Sequence, residues 1–168
     1  MIKLIIRCWL VAFILFNLNV IAYAAPPKLP KADQVVVYKS ERQMFLLKDG
    51  KILKQYRIAL GGQPTGHKLR EGDHRTPEGV YYIQARNAKS RYYLSLKISY
   101  PSATDKARAQ KMGVSPGDNI MIHGMSDYYR SFWGRLKDWT KGCIAVRNHE
   151  IEEIWQMVGV GTPIKIFP

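Results

Sequence analysis

Short runs of apolar residues, many of them alternating with polar ones, recur along most of the chain, and this pattern predicts β-strands. The runs are rich in β-branched and aromatic residues, and Asp49-Gly50 between two of them is typical of a tight hairpin turn. The predicted strands are QVVVYKS, RQMFLLKDG, KILKQYRIALGG, GVYYIQAR, YYLSLKISY, NIMIHG and PIKIF. The pattern therefore predicts a mainly β protein.

Two other segments have the features of helices. SATDKARAQKMG places Ser102 as an N-cap, Asp105 three residues later and Gly113 as a stop. NHEIEEIWQMVG places Asn148 as the cap and then repeats apolar residues at i, i+3, i+4 and i+7. The second helix is expected to cover the core directly after the segment that holds Cys143.

The N-terminal residues carry a different pattern. Positive charges at Lys3 and Arg7, an apolar run ending at Phe16 and small residues up to Ala24 are typical of a secretory signal peptide. The apolar run is broken well short of the roughly 20 residues that a membrane-spanning helix needs, which disfavours an uncleaved anchor. We therefore predict a signal peptide at 1–24, a proline-rich linker at 25–33 and one domain at 34–168, without a stable membrane span after cleavage.

The chain is strongly basic. It has 26 Lys and Arg against 13 Asp and Glu, a formal net charge of +13, and loss of residues 1–24 would remove only two of the positive charges. An anionic partner is expected, but the predicted export and the lack of a recognisable motif argue against nucleic acid. For a periplasmic or secreted protein, wall carboxylates and envelope phosphates are the available anions. Simple solubility explains the charge equally well.

Cleavage after Ala24 would remove Cys8 and leave Cys143 as the single cysteine. An exported domain that used cysteine structurally would carry an even number for disulfides. Cys143 is therefore half of an intermolecular bridge, an inert buried thiol or a reactive group.

The surroundings of Cys143 offer what a reactive thiol needs, namely an imidazole and backbone oxyanion donors. His123 and Gly124 end a predicted strand, and Gly142 has no side chain to block the approach of backbone N–H groups to an oxyanion. The loop between the two segments, residues 125–139, is aromatic and basic and could cover the site. Its candidate substrate contacts are Tyr128, Arg130 and Trp133.

Together these residues resemble a known family. His123, a spacer of sixteen residues and Thr140-x-Gly142-Cys143-Ile144 are similar to the signature of the L,D-transpeptidase catalytic domain, the YkuD-like family. The upstream segment GDHRTPEGVYYI is similar to that family's turn before a core strand. The resemblance runs from about Val35 to Pro168. It implies a β-sandwich or barrel with one or two short capping helices, and neither a metal nor an organic cofactor.

The resemblance also implies a mechanism on peptidoglycan stem peptides. Cys143 would be the nucleophile, His123 the proton acceptor, and the amides of Gly142 and Cys143 the oxyanion donors. Thr140 would support the cysteine loop, and Gly124 is a further candidate for oxyanion support. The acyl group would form a thioester and then pass to an amine of a neighbouring stem.

The chain departs from the family pattern beside the cysteine. Lys141 and Ala145 stand where many members have a histidine and an arginine, and the nearest arginine is Arg147, a substrate-binding candidate. The string GCIAVRNHEIEEIW resembles the subgroup that includes an amidase detaching lipoprotein from diaminopimelate. Water would then receive the acyl group, and a wall-linked lipoprotein would be a partner. A non-catalytic wall-binding module is a further alternative.

The remaining polar candidates have simpler explanations. His67, His74 and His149 do not have metal-ligand spacing, so a zinc site is not expected. Asp73 and Glu78 could act as paired carboxylates in glycan cleavage, but their positions flanking a turn favour structural roles.

Overall fold

A mixed β-sheet forms most of the described protein, which in this computed structural model comprises residues 28–126 and 138–168. Eight strands and two helices lie within those residues. The strands are β1 Gln34–Tyr38, β2 Gln43–Lys48, β3 Lys51–Arg57, β4 Gly79–Ser90, β5 Tyr93–Ile98, β6 Met121–His123, β7 Ile144–Ala145 and β8 Pro163–Phe167. The helices are α1 Ala103–Lys111 and α2 Asn148–Met157.

The strand order across the described sheet is β3-β2-β1-β8-β4-β5-β6-β7. The β1–β8 and β6–β7 pairs are parallel, and the long β4 pairs with both β8 and β5. Bridges from Ala59 to Ala145 and from Gly61 to Thr140 join the chain after β3 to the opposite end of the sheet. This closure agrees with the predicted sandwich or barrel, and the mainly β fold with short helices is confirmed.

The first hairpin shows how local sequence sets the register. Asp49 and Gly50 both have positive φ, 50° and 73°, as a two-residue turn between right-twisted strands requires. The turn pairs Lys48 with Lys51, and alternation then places Met44 and Leu46 in the core with no exposed surface.

The core lies between the sheet and α2. Ile151, Ile154 and Met157, at helical spacing, are fully buried against strand residues such as Leu96 and Ile164. Burial of each such side chain contributes roughly 1.5–3 kcal/mol. The helix therefore fixes the position of the residues at its own N-terminus, which lie beside the candidate site.

The helix caps were partly predicted. At α1, Ser102 and Asp105 form the expected capping box. At α2 the expected cap was wrong: Arg147 is the N-cap, and its N–H donates to Glu150. The Asn148 side chain instead accepts a hydrogen bond from the N–H of Met125, a buried residue whose amide would otherwise lack a partner.

The described part of the predicted linker contacts the domain. Leu29 packs against the core, Ala32 is buried, and the Ala32 N–H donates to the carbonyl of Met157 at 2.9 Å. The predicted signal peptide lies outside the described residues. Within residues 28–126 and 138–168, no helix is long and apolar enough to cross a membrane.

Candidate active site

The paired strands β6 and β7 bring His123 and Cys143 to one face of the sheet. In their parallel register Ile122 lies beside Ile144, and His123 beside Ala145. Because side chains alternate across a strand, the two isoleucines point into the core, where both are fully buried. His123 and Cys143, which directly precedes β7, therefore share the opposite face.

A cavity of about 540 Å³ opens on that face, and both His123 and Cys143 line it. Its other walls come from the β4–β5 hairpin and from the turn that leads into β7. Those walls include Ser90, Arg91, Tyr92, Trp139, Thr140 and Lys141.

The imidazole of His123 is buried and held from three sides. Its Nδ1 lies 2.6 Å from the carbonyl oxygen of Gly124, and since a carbonyl only accepts, Nδ1 carries the proton and Nε2 has the free lone pair. The Tyr92 ring stacks on it at 4.5 Å between centroids, and Trp139 meets it edge-on at 5.9 Å. Burial lowers the pKa of His123 to about 4, so the ring is a neutral base at pH 7.

The thiol of Cys143 is partly buried, with Sγ 3.5 Å from the carbonyl oxygen of Asn119. Burial raises the pKa of Cys143, although the Met121 amide and the charge of Lys68 act in the opposite direction. With the cysteine pKa raised and the histidine pKa lowered, the resting pair is a neutral thiol and a neutral imidazole. Nucleophilic attack then requires proton removal by a base during the reaction.

The turn before Cys143 is closed by Thr140. Its hydroxyl donates to the Cys143 carbonyl at 2.7 Å and accepts from the Gly142 N–H at 3.1 Å. Gly142 has φ +124°, and a Cβ there would lie 2.7 Å from the Arg75 carbonyl oxygen, so only glycine fits. Because the Gly142 amide is already bonded inside the turn, the expectation that it serves as an oxyanion donor is not supported.

Close packing, rather than the predicted oxyanion support, explains the glycine at position 124. A Cβ at this position would lie within about 3 Å of Asn148 Oδ1, the Ile151 side chain and the Tyr92 carbonyl. Glycine therefore lets the strand end pack under α2 while its carbonyl holds His123.

Of the predicted substrate contacts, only Arg147 lies within the described residues. Arg147 is exposed at the N-cap of α2 and is not among the residues that line the cavity. Tyr128, Arg130 and Trp133 lie outside the described residues. At the end of the same loop, Asp138 pairs with Arg42 and accepts the Leu60 N–H.

The sequence reasoning missed Arg91 and Tyr92. Arg91 is exposed on the β4–β5 turn, lines the cavity, and its guanidinium lies 5.0 Å from the centre of the Tyr92 ring. The available signal was the polar and aromatic segment Ser90-Arg91-Tyr92-Tyr93, which leads into the predicted strand YYLSLKISY. Only the pairing of β5 with β6 places that turn beside His123.

The other histidines and carboxylates that the sequence analysis considered do not line the cavity. His67 Nε2 lies 3.0 Å from Asp105, whereas His149 is exposed on α2. Asp73 pairs with Lys68, and Glu78 pairs with the buried Lys39. Among the described residues, no group of three or more His, Cys, Asp or Glu is arranged to hold a metal ion.

Comparison with known proteins identifies the family. Residues 32–166 match the YkuD family, described as the L,D-transpeptidase catalytic domain. YafK of Escherichia coli, which has L,D-transpeptidase in its name, is 34% identical over 130 residues, or 74% of this chain and 46% of YafK. The chain belongs to the L,D-transpeptidase catalytic domain family, as its motifs predicted.

Solved structures agree with this assignment. Pgp2 of Campylobacter jejuni, described as a helical cell shape determining protein, superposes with a TM-score of 0.63. The two sequences are 28% identical, and the match covers 82% of this chain and 47% of Pgp2. An L,D-transpeptidase of Mycobacterium smegmatis shares the fold at a TM-score of 0.54 and 15% identity, over 82% of this chain and 59% of that one. The chain thus spans less than half the length of YafK or Pgp2.

Proposed function

We propose that this chain is an envelope enzyme that transfers acyl groups of peptidoglycan stem peptides through a Cys143 thioester. The observation that carries the proposal is the shared cavity face of His123 and Cys143, with the unprotonated Nε2 of His123 available as a base. Membership of the L,D-transpeptidase family supports both the substrate class and an envelope location.

The chemistry follows from the two protonation states. As Sγ of Cys143 attacks the carbonyl after the L-centre of diaminopimelate, its proton passes to Nε2 of His123. The imidazolium returns that proton to the leaving amine of D-Ala when the C–N bond breaks, which leaves a thioester. An amine of a second stem then attacks the thioester, and the thiol is regenerated. The Cys143 amide is the proposed donor to the tetrahedral oxyanion.

Substrate carboxylates need a cationic partner, and among the described residues two cations line the cavity. Arg91 reaches it from the β4–β5 turn, and Lys141 lies two residues before the nucleophile. The usual motif position is occupied by Ala145, which is fully buried and uncharged. We propose Arg91, with Lys141, as the contact for a stem carboxylate in place of the motif arginine.

Hydrolysis of the same thioester is the second candidate function. It is favoured by the departures beside Cys143, where Lys141 and Ala145 stand in place of the histidine and arginine of many members. In this alternative water accepts the acyl group, and the enzyme releases a wall-attached peptide or lipoprotein.

The test is turnover of purified sacculi or a tetrapeptide donor by wild type, Cys143→Ser and His123→Ala. Serine cannot replace a thiol assisted by one imidazole, so Cys143→Ser should lose turnover while unfolding at a similar temperature. His123→Ala should also lose most activity. Mass spectrometry of the products identifies the bond that is cleaved.

The matched control is His149→Ala, which removes an exposed histidine on α2. It should leave the rate unchanged. If Cys143→Ser or His123→Ala stayed within about tenfold of wild type, a barrier change of only ~1.4 kcal/mol, the assigned role would be wrong. Retained binding to sacculi with no turnover by the wild type would favour a wall-binding module instead.

A further inference from the structure

The peptide unit between Gly124 and Met125 connects His123 to the start of α2. Its carbonyl oxygen accepts the Nδ1 hydrogen bond of His123 at 2.6 Å. Its N–H donates to Oδ1 of Asn148 at 2.7 Å. Because both groups belong to one planar unit, a rotation that breaks either bond also turns the other group.

The direction of both hydrogen bonds is fixed by the groups involved. A backbone N–H only donates, so the Asn148 atom that faces Met125 is the side-chain oxygen. A carbonyl only accepts, so His123 has its proton on Nδ1. The chain of bonds therefore runs from the imidazole through one peptide unit to the Asn148 oxygen, and it leaves Nε2 of His123 as the acceptor.

Packing makes Asn148 a firm anchor for this peptide unit. Asn148 is the first residue of α2, and Ile151 and Ile154 of that helix are fully buried. The Asn148 oxygen lies only 2.8 Å from where a Cβ of Gly124 would be, so the strand end and the helix are in close contact. On the other side of Gly124, its N–H donates to the Leu94 carbonyl at 3.1 Å.

We propose that Asn148 is a positioning residue for His123, acting through the Gly124–Met125 peptide unit. In papain-like cysteine proteases an asparagine serves as the third member of the catalytic triad. Here the third member is a backbone carbonyl, and Asn148 sets its orientation. The inference rests on the proposed role of His123 as the base, and it adds to it the residue that keeps Nε2 directed into the cavity.

The test compares Asn148→Leu with Asn148→Asp. Leucine has a similar size and no acceptor, whereas aspartate keeps an oxygen at the same place. Asn148→Leu should lower kcat by about 10–100-fold with KM nearly unchanged, because a small misplacement of a catalytic group has effects of this size. Asn148→Asp should restore most of the rate at pH 8.

Asn148→Asp should also change the pH profile. Its negative charge favours the imidazolium and raises the pKa of His123, so the acid limb of kcat/KM should move to higher pH. The other charged or titratable groups around the ring among the described residues are Arg91 and Tyr92 on the β4–β5 turn and Cys143 with Lys141 before β7. None of them is changed by either variant.

Nitrogen NMR of His123 tests the inference without relying on turnover. The wild type should have the Nδ1–H form, and Asn148→Leu should lose it or mix it with the Nε2–H form. Thermal unfolding of each variant and the His149→Ala control separate this effect from a general loss of stability.

An inactive wild type would overturn the proposed function alone. A folded Asn148→Leu protein with an unchanged Nδ1–H signal, or a kcat within twofold of wild type, would overturn the role of Asn148.

Discussion

At the scale of single residues, the site combines an imidazole and a thiol whose pKa values are shifted in the directions that favour the neutral form of each group. Burial lowers the pKa of His123 to about 4 and raises that of Cys143. Tyr92 covers one face of the imidazole, and Arg91 stands next to Tyr92 at the cavity rim. This arrangement suits a base that stays neutral until the thiol attacks, beside a cation that can hold an anionic substrate.

Arg91→Gln is expected to weaken substrate binding. Removal of a charge-assisted hydrogen bond to a stem carboxylate should raise KM by about 10–100-fold, with a smaller change in kcat. Steady-state kinetics with a tetrapeptide donor measures the effect. A donor whose carboxylate is converted to an amide should bind wild type and Arg91→Gln equally.

Arg86→Gln is the matched control, because Arg86 lies on β4, before the turn that holds Arg91, and stacks on Trp155 rather than lining the cavity. Its KM should stay at the wild-type value. Equal effects of the Arg86 and Arg91 variants would show that total charge, and not the cavity contact, determines binding.

At the scale of elements, the segment between β3 and β4 supports the cysteine turn. The Gly62 N–H donates to the Thr140 carbonyl, and the Arg75 carbonyl lies where a Cβ of Gly142 would clash. This segment is long and has no regular strand or helix. The Asp73 carboxylate holds it by accepting the N–H groups of Leu69, Arg70 and Arg75 and pairing with Lys68.

Asp73→Asn is expected to destabilise the protein in a pH-dependent way. Burial alone would raise the pKa of Asp73, but the Lys68 pair and three backbone N–H groups outweigh it and lower the pKa to about 2. The carboxylate therefore stabilises the fold above about pH 4, and this contribution is lost as the pH falls through 2. At pH 7 the variant should lose about 1–3 kcal/mol in the free energy of unfolding.

Urea unfolding at pH 7 and near pH 2.5 measures this difference, which should shrink at the lower pH. Asp49→Asn is the control, since Asp49 lies on an exposed hairpin turn that asparagine fits equally well. A gap between Asp73→Asn and wild type that does not depend on pH would contradict the carboxylate's role.

Strands and helices with a clear hydrophobic pattern of their own could be predicted from the sequence. Elements that exist only through pairing with distant residues could not. Short segments rich in β-branched and aromatic residues predicted β1 and β2, and the helical repeat predicted α2. The two-residue β7 has no period of its own and exists because it pairs with β6 and with Ala59. Asn148 has the residue type of a helix cap, whereas its actual partner, Met125, becomes a neighbour only in the folded chain.

At the scale of the whole molecule, residues 32–166 form the domain that defines the family, and the chain has a large excess of positive charge. It spans less than half of YafK and Pgp2. Its formal net charge of +13 would favour association with anionic polymers, and it explains solubility equally well. Because such an attraction is general, the choice of acceptor in the proposed acyl transfer is expected to depend on the residues that line the cavity.

The fate of the acyl group distinguishes the two proposed functions, transpeptidation and hydrolysis. If the enzyme is a transpeptidase, the Cys143 thioester must persist in water until an amine from a second stem arrives. A tetrapeptide donor with a labelled stem-peptide amine should then give cross-linked product, and its yield relative to free acid should rise with amine concentration. Mass spectrometry of the products measures that ratio, with Cys143→Ser as the blank. Free acid alone at saturating amine would contradict transpeptidation, and the enzyme would then be the amidase or hydrolase that its residues beside Cys143 also allow.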